Sequence, residues 1–316
     1  MVIASSPEWV TRGAPDEVGA AMSRRVVISG DDFGMSEAFS IGVLRALQMG
    51  AVSVLDLMVN LPSSEFAVRT LRSAAPSALP DALALHLNLV LGAPVSDPSS
   101  IPSLVDEEGM FFRSGMWHGD DPDDAKCHGS VYPSPDDVSR EVLAQIERFR
   151  ELTGSYPMHI DSHSVMVEPV ARGLHVVAAE LGIHCEGSPQ LVPEIMRTCG
   201  ECMPAGGNRE RMAITSRGST VEDWLNDAFG IERCPFDIAV VHAHPGYLDQ
   251  ELLDSTSLTL PRCRDYQTLT DQRVIDWFAE RQIEPVTYAA VYPNGFTSPE
   301  PSAVELLMKQ FGVSVR

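Results

Sequence analysis

Short apolar runs alternate with amphipathic stretches along most of this sequence, and this alternation limits the possible folds more than any other feature. Residues 25–29, RVVIS, predict a buried strand, and residues 36–49 show the apolar spacing of a helix that Ser36 caps. Strands that alternate with helices are typical of a parallel sheet with helical crossovers. We therefore predict an α/β fold, and roughly six or seven such repeats favour a distorted (β/α) barrel of mostly parallel strands over an open sheet.

The other predicted elements follow the same order along the chain. Further strands are predicted at residues 52–59, 82–90, 158–161, 183–185, 237–242 and 285–290. Further helices are predicted from residue 63 or 64 to about 71, and at 134–152, 168–181, 219–228, 271–282 and 301–310. Residues 92–133 and 199–217 show neither pattern. Long irregular stretches inside a domain are often functional, so we expect a packed lid at 92–133 and a second lid or a subunit contact at 199–217.

The chain is strongly acidic, with a formal net charge of −21. Such a surface repels nucleic-acid phosphates, and no apolar run of about 18 residues predicts a membrane span, so nucleic acid and membrane are not expected partners. Residues 1–22 carry acidic side chains and lack the apolar core of a signal peptide. We expect a flexible leader at 1–22, a single domain at 23–316 and a cytoplasmic protein.

The six cysteines include a C-x-x-C pair at Cys199 and Cys202. A structural zinc site would need a second such pair at a suitable spacing, and none follows. A redox role of the thioredoxin type would need a strand and a helix around the pair, whereas this region has no clear pattern. Reduced thiols are therefore expected, and a homodimer is the default oligomer.

Aspartate and histidine side chains come at the ends of four predicted strands, where ligands gather in parallel α/β folds. They are Asp31 and Asp32, then His86, then Asp161 and His163, and finally His242 and His244. Each of these taken alone is as easily a helix cap, a turn or a core histidine. Together, one carboxylate and two imidazoles suit a divalent ion, a second carboxylate can take a proton from water, and another histidine can donate one. The set predicts a metal-dependent hydrolase.

These residues in this order resemble the YdjC-like carbohydrate deacetylases over about residues 25–288. The matching stretches are ISGDDFGMSE (28–37), VSVLDLMVN (52–60), ALHLNLVLG (84–92), HIDSH (159–163), HPGYLD (244–249) and PRCRDYQTLTD (261–271). The resemblance implies a barrel of the polysaccharide-deacetylase type. It also implies removal of an N-acetyl group from a carbohydrate or sugar conjugate.

The resemblance assigns roles to particular residues of this chain. It implies that Asp32, His86 and His163 hold one Mg²⁺ or Zn²⁺ ion and that Asp31 is the general base. His244 matches a histidine that acts as the acid or orients the substrate. Arg262 matches a family arginine that pairs with an acidic side chain or touches the substrate.

Two features concern the substrate side of this site. Trp117 lies in the predicted lid and could stack on a sugar ring, with packing against the barrel as the alternative. Many YdjC-like proteins continue past D-S-H with further histidines, whereas residues 164–169 contain none, so the substrate pocket is expected to differ. The alternatives are a metal-dependent hydrolase of another amide or ester bond, including a phosphoesterase, and a non-catalytic sugar-binding relative.

Overall fold

The computed structural model describes residues 24–79, 81–119, 127, 129–185 and 199–313. The expected leader, residues 1–22, lies outside these ranges. The described strands are β1 (Arg24–Phe33), β2 (Val54–Leu57), β3 (Leu83–Leu87), β4 (His159–Ser162), β5 (His184–Cys185), β6 (Cys199–Glu201), β7 (Ile238–Ala243) and β8 (Ile283–Pro285). The described helices are α1 (Glu37–Gln48), α2 (Ser64–Ala74), α3 (Pro135–Thr153), α4 (Glu168–Leu181), α5 (Gly207–Arg217), α6 (Val221–Leu225), α7 (Gln250–Ser255), α8 (Leu260–Leu269), α9 (Gln272–Glu280) and α10 (Pro301–Phe311).

The eight described strands all pair in parallel in one sheet, which confirms the predicted α/β fold. The strand order is β5-β4-β3-β2-β1-β7-β6, and β8 pairs with the first residues of β1. Among the described residues, no helix is both long enough and apolar enough to cross a membrane.

The sheet is curved into a half-barrel. Asp161 of β4 and His242 of β7 are only 3.5 Å apart at their nearest side-chain atoms. Three strands, β3, β2 and β1, stand between β4 and β7. In a flat sheet the outer two of these five strands would lie about 19 Å apart, at about 4.8 Å per step. Only strong curvature brings the two side chains together on the concave face.

Two apolar clusters stabilise this curved sheet on its two faces. The larger cluster fills the space between the convex face and the helices, and it includes Val26 and Ile28 of β1. The smaller cluster lies inside the barrel and contains Val27, Val54, Ala84, Cys199, Ile238, Val240, Tyr288 and Val291. Successive residues of a strand point to opposite faces, so the inward row of β1 continues from Val27 to Ser29 and Asp31. Apolar residues therefore fill the start of the barrel, and polar residues follow at its other end.

β1 is longer than the predicted strand at residues 25–29. It continues to Phe33, but its register with β2 shifts between Gly30 and Phe33. Within the shift, Asp32 has a left-handed backbone with φ 64°, which is unusual for a residue other than glycine. An irregularity of this kind bends a strand and turns a side chain in a new direction.

Two predicted regions were wrong. The strand predicted at 285–290 is instead β8, Ile283–Pro285, followed by a 3₁₀ turn at Tyr288–Val291, because Tyr288 and Val291 fold into the inner cluster. Residues 199–217 are not irregular, since they form β6 and α5. Helices α7 and α8 were missed because neither carries a clear apolar stripe; in α8, Arg262 and Asp265 are among the buried residues.

The long stretch 92–133, apart from residues 120–126 and 128, packs against the body of the molecule, as expected of a packed lid. Its start is held by α3, where the buried Glu141 carboxylate accepts the backbone N–H groups of Val95 and Ser96 at 2.9 and 3.0 Å. Farther along, Asp137 of α3 accepts the backbone N–H of Ser103 at 3.0 Å. These bonds satisfy backbone groups that have no strand partner.

Candidate metal centre and active site

Asp32, His86 and His163 converge at the carboxyl ends of β1, β3 and β4. Asp32 Oδ1 lies 3.0 Å from His86 Nε2 and 2.7 Å from His163 Nδ1. The two ring nitrogens are 3.3 Å apart. Asp32 and His86 are buried, and His163 is partly exposed. The three predicted ligands therefore present one oxygen and two nitrogens toward a single point, with one side open to solvent.

Neighbouring groups orient the two histidines. His86 Nδ1 faces Asp161 Oδ2 at 3.2 Å, which leaves Nε2 directed at Asp32. Burial would lower the pKa of His86, but its hydrogen bonds with Asp161 and Asp32 raise it well above the ordinary value. His163 is held through its backbone N–H, which donates to Leu87 O at 2.8 Å and extends the pairing of β3 and β4. A carboxylate behind a histidine in this way fixes the ring and makes its other nitrogen a stronger metal donor.

Asp32 is held in its unusual conformation by a buried arginine. Arg262 of α8 is 1% exposed, and its Nη2 lies 2.7 Å from Asp32 Oδ2. The guanidinium also lies 4.6 Å from the Phe39 ring centre, and its Nε donates to Leu258 O at 2.7 Å. Burial would raise the pKa of Asp32, but the charges of His163 and Arg262 hold it well below its ordinary value. Asp32 is therefore a carboxylate that is fixed on both oxygens.

The backbone around the ligands is strained at two places. Asp32 and Ser164, the residue after His163, both have left-handed backbones, with φ 64° and φ 69°. Such conformations cost roughly 1–2 kcal/mol per residue and tend to persist where a site requires them. In a regular strand, the side chain of Asp32 would point to the face opposite that of Asp31. The left-handed backbone at Asp32 turns this side chain toward the histidines instead.

Asp31 lies beside the three donors and faces two histidines, His242 near the end of β7 and His244 in the segment that follows β7. His242 Nδ1 is 3.4 Å from Asp31 Oδ1, and His244 Nε2 is 3.8 Å from Asp31 Oδ2. Burial would raise the pKa of Asp31, but the charge and hydrogen bond of His242, with the charge of His244, lower it overall. Asp31 is thus ionised at neutral pH and is placed to accept a proton.

His244 is partly exposed at the open side of the site. Its backbone N–H donates to Asp265 Oδ2 at 3.3 Å, and Asp265 Oδ1 accepts the backbone N–H of Ser219 at 2.7 Å. One buried carboxylate of α8 therefore holds the segment that carries His244. Burial lowers the pKa of His244 more than the charges of Asp32 and Asp31 raise it.

Asp56 is a fourth buried carboxylate at the site, and sequence reasoning did not single it out. It lies in β2, is fully buried, and accepts a hydrogen bond from Ser29 Oγ at 2.6 Å. One ligand atom of Asp56 lies within 4.8 Å of one each from Asp31, Asp161 and His242. Burial, with the charge of Asp31, raises the pKa of Asp56 to about 6.

Two residues expected at the substrate side are not available to a substrate. Trp117 is fully buried, and its indole N–H donates to Phe112 O at 3.2 Å, so the expectation that it stacks on a sugar was wrong and the packed alternative describes it. Arg262 is also buried, and it contacts Asp32 rather than the open side of the site. The structure thus places Arg262 behind the site as a partner of an acidic side chain.

Comparisons with known proteins show which proteins this chain is similar to. A carbohydrate deacetylase of Geobacillus stearothermophilus is 29% identical over 283 residues, which cover 86% of this chain and 99% of that protein. A carbohydrate deacetylase of Clostridium beijerinckii is 27% identical over 269 residues, or 84% and 98%. The crystal structure of a cellobiose-phosphate cleavage protein of Enterococcus faecalis matches this chain with a TM-score of 0.69 at 22% identity. The match covers 85% of this chain and 99% of that one, and it supports the fold. The family model of the YdjC-like proteins matches residues 25–280, so the chain belongs to the YdjC-like family.

Proposed function

We propose that this protein removes the acetyl group from the nitrogen of an N-acetylated carbohydrate or sugar conjugate, using a divalent cation. The observation that carries the proposal is the convergence of Asp32, His86 and His163 beside two further groups, Asp31 and His244, that can move protons. The carbohydrate deacetylases of Geobacillus and Clostridium, which match over nearly their full lengths, support deacetylation of a carbohydrate.

The residues fit a divalent cation such as Mg²⁺ or Zn²⁺. Asp32, His86 and His163 supply one carboxylate oxygen and two imidazole nitrogens, and Asp161 orients the ring of His86 from behind. Three protein donors with one open side are typical of a catalytic rather than a structural site. A cation bound there would polarise a carbonyl oxygen and lower the pKa of a water molecule.

The side chains around the donors supply the proton transfers. Asp31 accepts a proton from the attacking water, and His242, at 3.4 Å, keeps that carboxylate oriented. His244 donates a proton to the departing nitrogen. Since the pKa of His244 is lowered, it takes up that proton during the reaction, and Asp31 Oδ2 at 3.8 Å is the nearby source. Water and the amide are consumed, and acetate and a free amine are released.

The charges around the site favour a neutral substrate over a phosphoester. The site contains four buried carboxylates, that of the donor Asp32 and those of Asp31, Asp56 and Asp161 around the donors, and Arg262 is already paired with Asp32. Phosphate sites usually offer arginine or lysine to the phosphate oxygens. The acetamide of an N-acetyl sugar carries no charge and avoids this repulsion.

Acetate release from a panel of N-acetylated sugars and sugar conjugates tests the proposal. The protein is stripped with EDTA and then given Mg²⁺ or Zn²⁺, beside His163→Ala. His175→Ala, which removes a histidine of α4, is the matched control. We expect metal-dependent release that His163→Ala loses and His175→Ala keeps. Metal binding without acetate release would contradict the substrate assignment, and no metal binding would contradict the site itself. The single domain at 23–316, the cytoplasmic location and the homodimer stay predictions.

A further inference from the structure

Polar side chains form a layer inside the barrel, directly after the inner apolar cluster. Residues two positions apart in a strand point to the same face. Asp56 therefore follows Val54 of the inner cluster along β2, and its side chain points into the barrel. His242 follows Val240 in the same way along β7. Asp161 of β4 reaches His242 across the barrel at 3.5 Å, so the interior at this level is polar.

Four side chains of this region can offer one ligand atom each to a single ion, and none of them belongs to the first set of donors. Their ligand atoms all lie within 4.8 Å of one another, and the residues are Asp31, Asp56, Asp161 and His242. His242 Nδ1 is 3.4 Å from Asp31 Oδ1 and 3.5 Å from Asp161 Oδ2. Neighbouring donors that bind one cation at about 2.1 Å lie about 3–3.5 Å from one another. The spacing therefore fits four donors around one ion.

Asp56 has an oxygen that the surrounding protein does not satisfy. The side chain is fully buried, and Ser29 Oγ donates to Oδ2 at 2.6 Å. No described residue donates a hydrogen bond to Oδ1. A buried carboxylate oxygen without a partner is costly, and buried charges are usually paired or bound to a metal. Since Asp56 points into the barrel beside the other three donors, a cation held by all four would satisfy it.

The charges of the site leave room for a second cation. Four carboxylates are buried there, and Arg262 is paired with one of them, Asp32. Arg262 and one divalent cation at the first set of donors together offset three of these negative charges. A buried charge without compensation is strongly unfavourable, so the fourth requires another positive group. That group is a second cation or, as the alternative, a proton on His242.

We propose that this protein has a second divalent-cation site, formed by Asp31, Asp56, Asp161 and His242. Three carboxylates and one imidazole suit Mn²⁺ or Zn²⁺. The donors already have other contacts, as Asp56 has with Ser29 and Asp161 has with His86. Binding must replace or share these contacts, so this site fills only at cation concentrations above those that fill the first.

A cation in the second site would inhibit the hydrolysis, a consequence that rests on the proposed function. The Asp31 carboxylate that accepts the proton from water would instead be bound to the second cation. A general base contributes about a hundredfold or more to a rate. Excess cation should therefore lower acetate release at least about tenfold.

Titration of the EDTA-stripped protein with Mn²⁺ tests the site, with unbound Mn²⁺ measured by electron paramagnetic resonance. Mn²⁺ prefers oxygen ligands and so avoids the six thiols of the chain. We expect one tight and one weak ion per wild-type chain. Asp56→Asn and His242→Ala should each lose the weak ion. Asp137→Asn, which changes a buried carboxylate of α3, is the matched control and should keep both ions.

Two results would overturn the proposal. One is a single ion per wild-type chain, and the other is a weak ion that Asp56→Asn and His242→Ala both retain. Acetate release gives a separate answer, because excess Mn²⁺ should inhibit the wild type but not Asp56→Asn, each compared with its own rate. Two bound ions without inhibition would support the second site and contradict the role of Asp31 as general base.

Discussion

Asp56 occupies an unfavourable place for a carboxylate, at the centre of the buried strand VLDL. Ser29 Oγ donates to one of its oxygens, and no described residue donates a hydrogen bond to the other, Oδ1. Asp31 lies close by, and two buried carboxylates repel each other when both are ionised, so the pKa of one of them should be raised. The raised pKa of Asp56, at about 6, identifies it as that residue.

Asp56→Asn should therefore stabilise the metal-free protein in a pH-dependent way. A carboxyl whose folded pKa exceeds its unfolded value of 3.8 costs stability as pH rises from that value through about 6. The gain in the Asn variant should be small at about pH 4.5 and reach roughly 1–3 kcal/mol above about pH 7. Urea unfolding at both pH values in EDTA measures this. Equal gains at both pH values would contradict the assignment.

Arg262→Met should destabilise the metal-free protein by about 3–5 kcal/mol, because Asp32 would keep a buried charge without its partner. Arg262→Lys keeps a positive charge and should lose less. A bound divalent cation also neutralises Asp32, so it should narrow the gap between Arg262→Met and the wild type. Urea unfolding with EDTA and with saturating Mg²⁺ measures both effects; an Arg262→Met protein as stable as the wild type in EDTA would refute the argument.

The sequence predicted those site residues that strand-end reasoning can find. Asp31, Asp32, His86 and His163 all stand at the ends of apolar runs, and the structure brings them together. Asp56 could not be found this way, because it lies inside the apolar strand β2 rather than after its end. The pairing of β2 with β1 places it beside Ser29 and Asp31. For Trp117 the sequence suggested a site residue where there is none, since an aromatic residue in a long loop can equally well pack into the core.

At the scale of elements, the segment that carries His244 is fitted closely against α1. A Cβ added to Gly42 of α1 would lie 2.6 Å from the backbone nitrogen of Tyr247 and 2.7 Å from Gly246 Cα. A Cβ on Gly246 would lie 2.1 Å from the Phe39 ring. Both positions therefore require glycine, because the segment 244–247 lies too close to α1 to leave room for a side chain. The position of His244 depends on this close packing.

Gly42→Ala should move this segment. Alanine favours a helix over glycine by about 1 kcal/mol, so any destabilisation must come from the clash, which should cost about 1–3 kcal/mol before that gain. Displacement of His244 by about 1 Å should lower kcat on the order of tenfold to a hundredfold, with metal affinity kept. Kinetics and metal titration measure these effects. Ile41→Ala, on the exposed face of α1, is the control, and a matching loss of kcat there would remove the explanation.

Element boundaries followed from pattern wherever one face is apolar. α4 was predicted at 168–181 and is Glu168–Leu181, because its apolar stripe packs on α3 and Gly182 ends it in a left-handed conformation. The irregular end of β1 was not predictable, since the left-handed Asp32 is not a glycine and its conformation is held by distant partners. Helix α8 was not predicted either, because its buried face carries Arg262 and Asp265, which contact the site, instead of an apolar stripe.

At the scale of the whole molecule, metal binding should be linked to unfolding. A ligand that binds only the folded state at 100 times its Kd adds about 2.7 kcal/mol. The triad joins β1, β3 and β4, and none of it exists in the unfolded chain. Mg²⁺ or Zn²⁺ should raise the Tm of the wild type and of His175→Ala but not of His163→Ala. Calorimetry in EDTA and in metal measures this, and an equal rise in all three proteins would contradict the ligand set.

β1 completes its pairing only with a strand from the other end of the chain. Arg24 is aligned with Ile283 of β8, and the turn after β8 brings Tyr288 and Val291 into the barrel. At about 5–20 residues per second, a ribosome makes β1 roughly ten to fifty seconds before β8. During that interval the first residues of β1 lack the pairing with β8, and the inner cluster lacks Tyr288 and Val291. We therefore expect a chain that ends before residue 283 to be recovered in lower yield, although no described residue beyond 283 is among the metal donors.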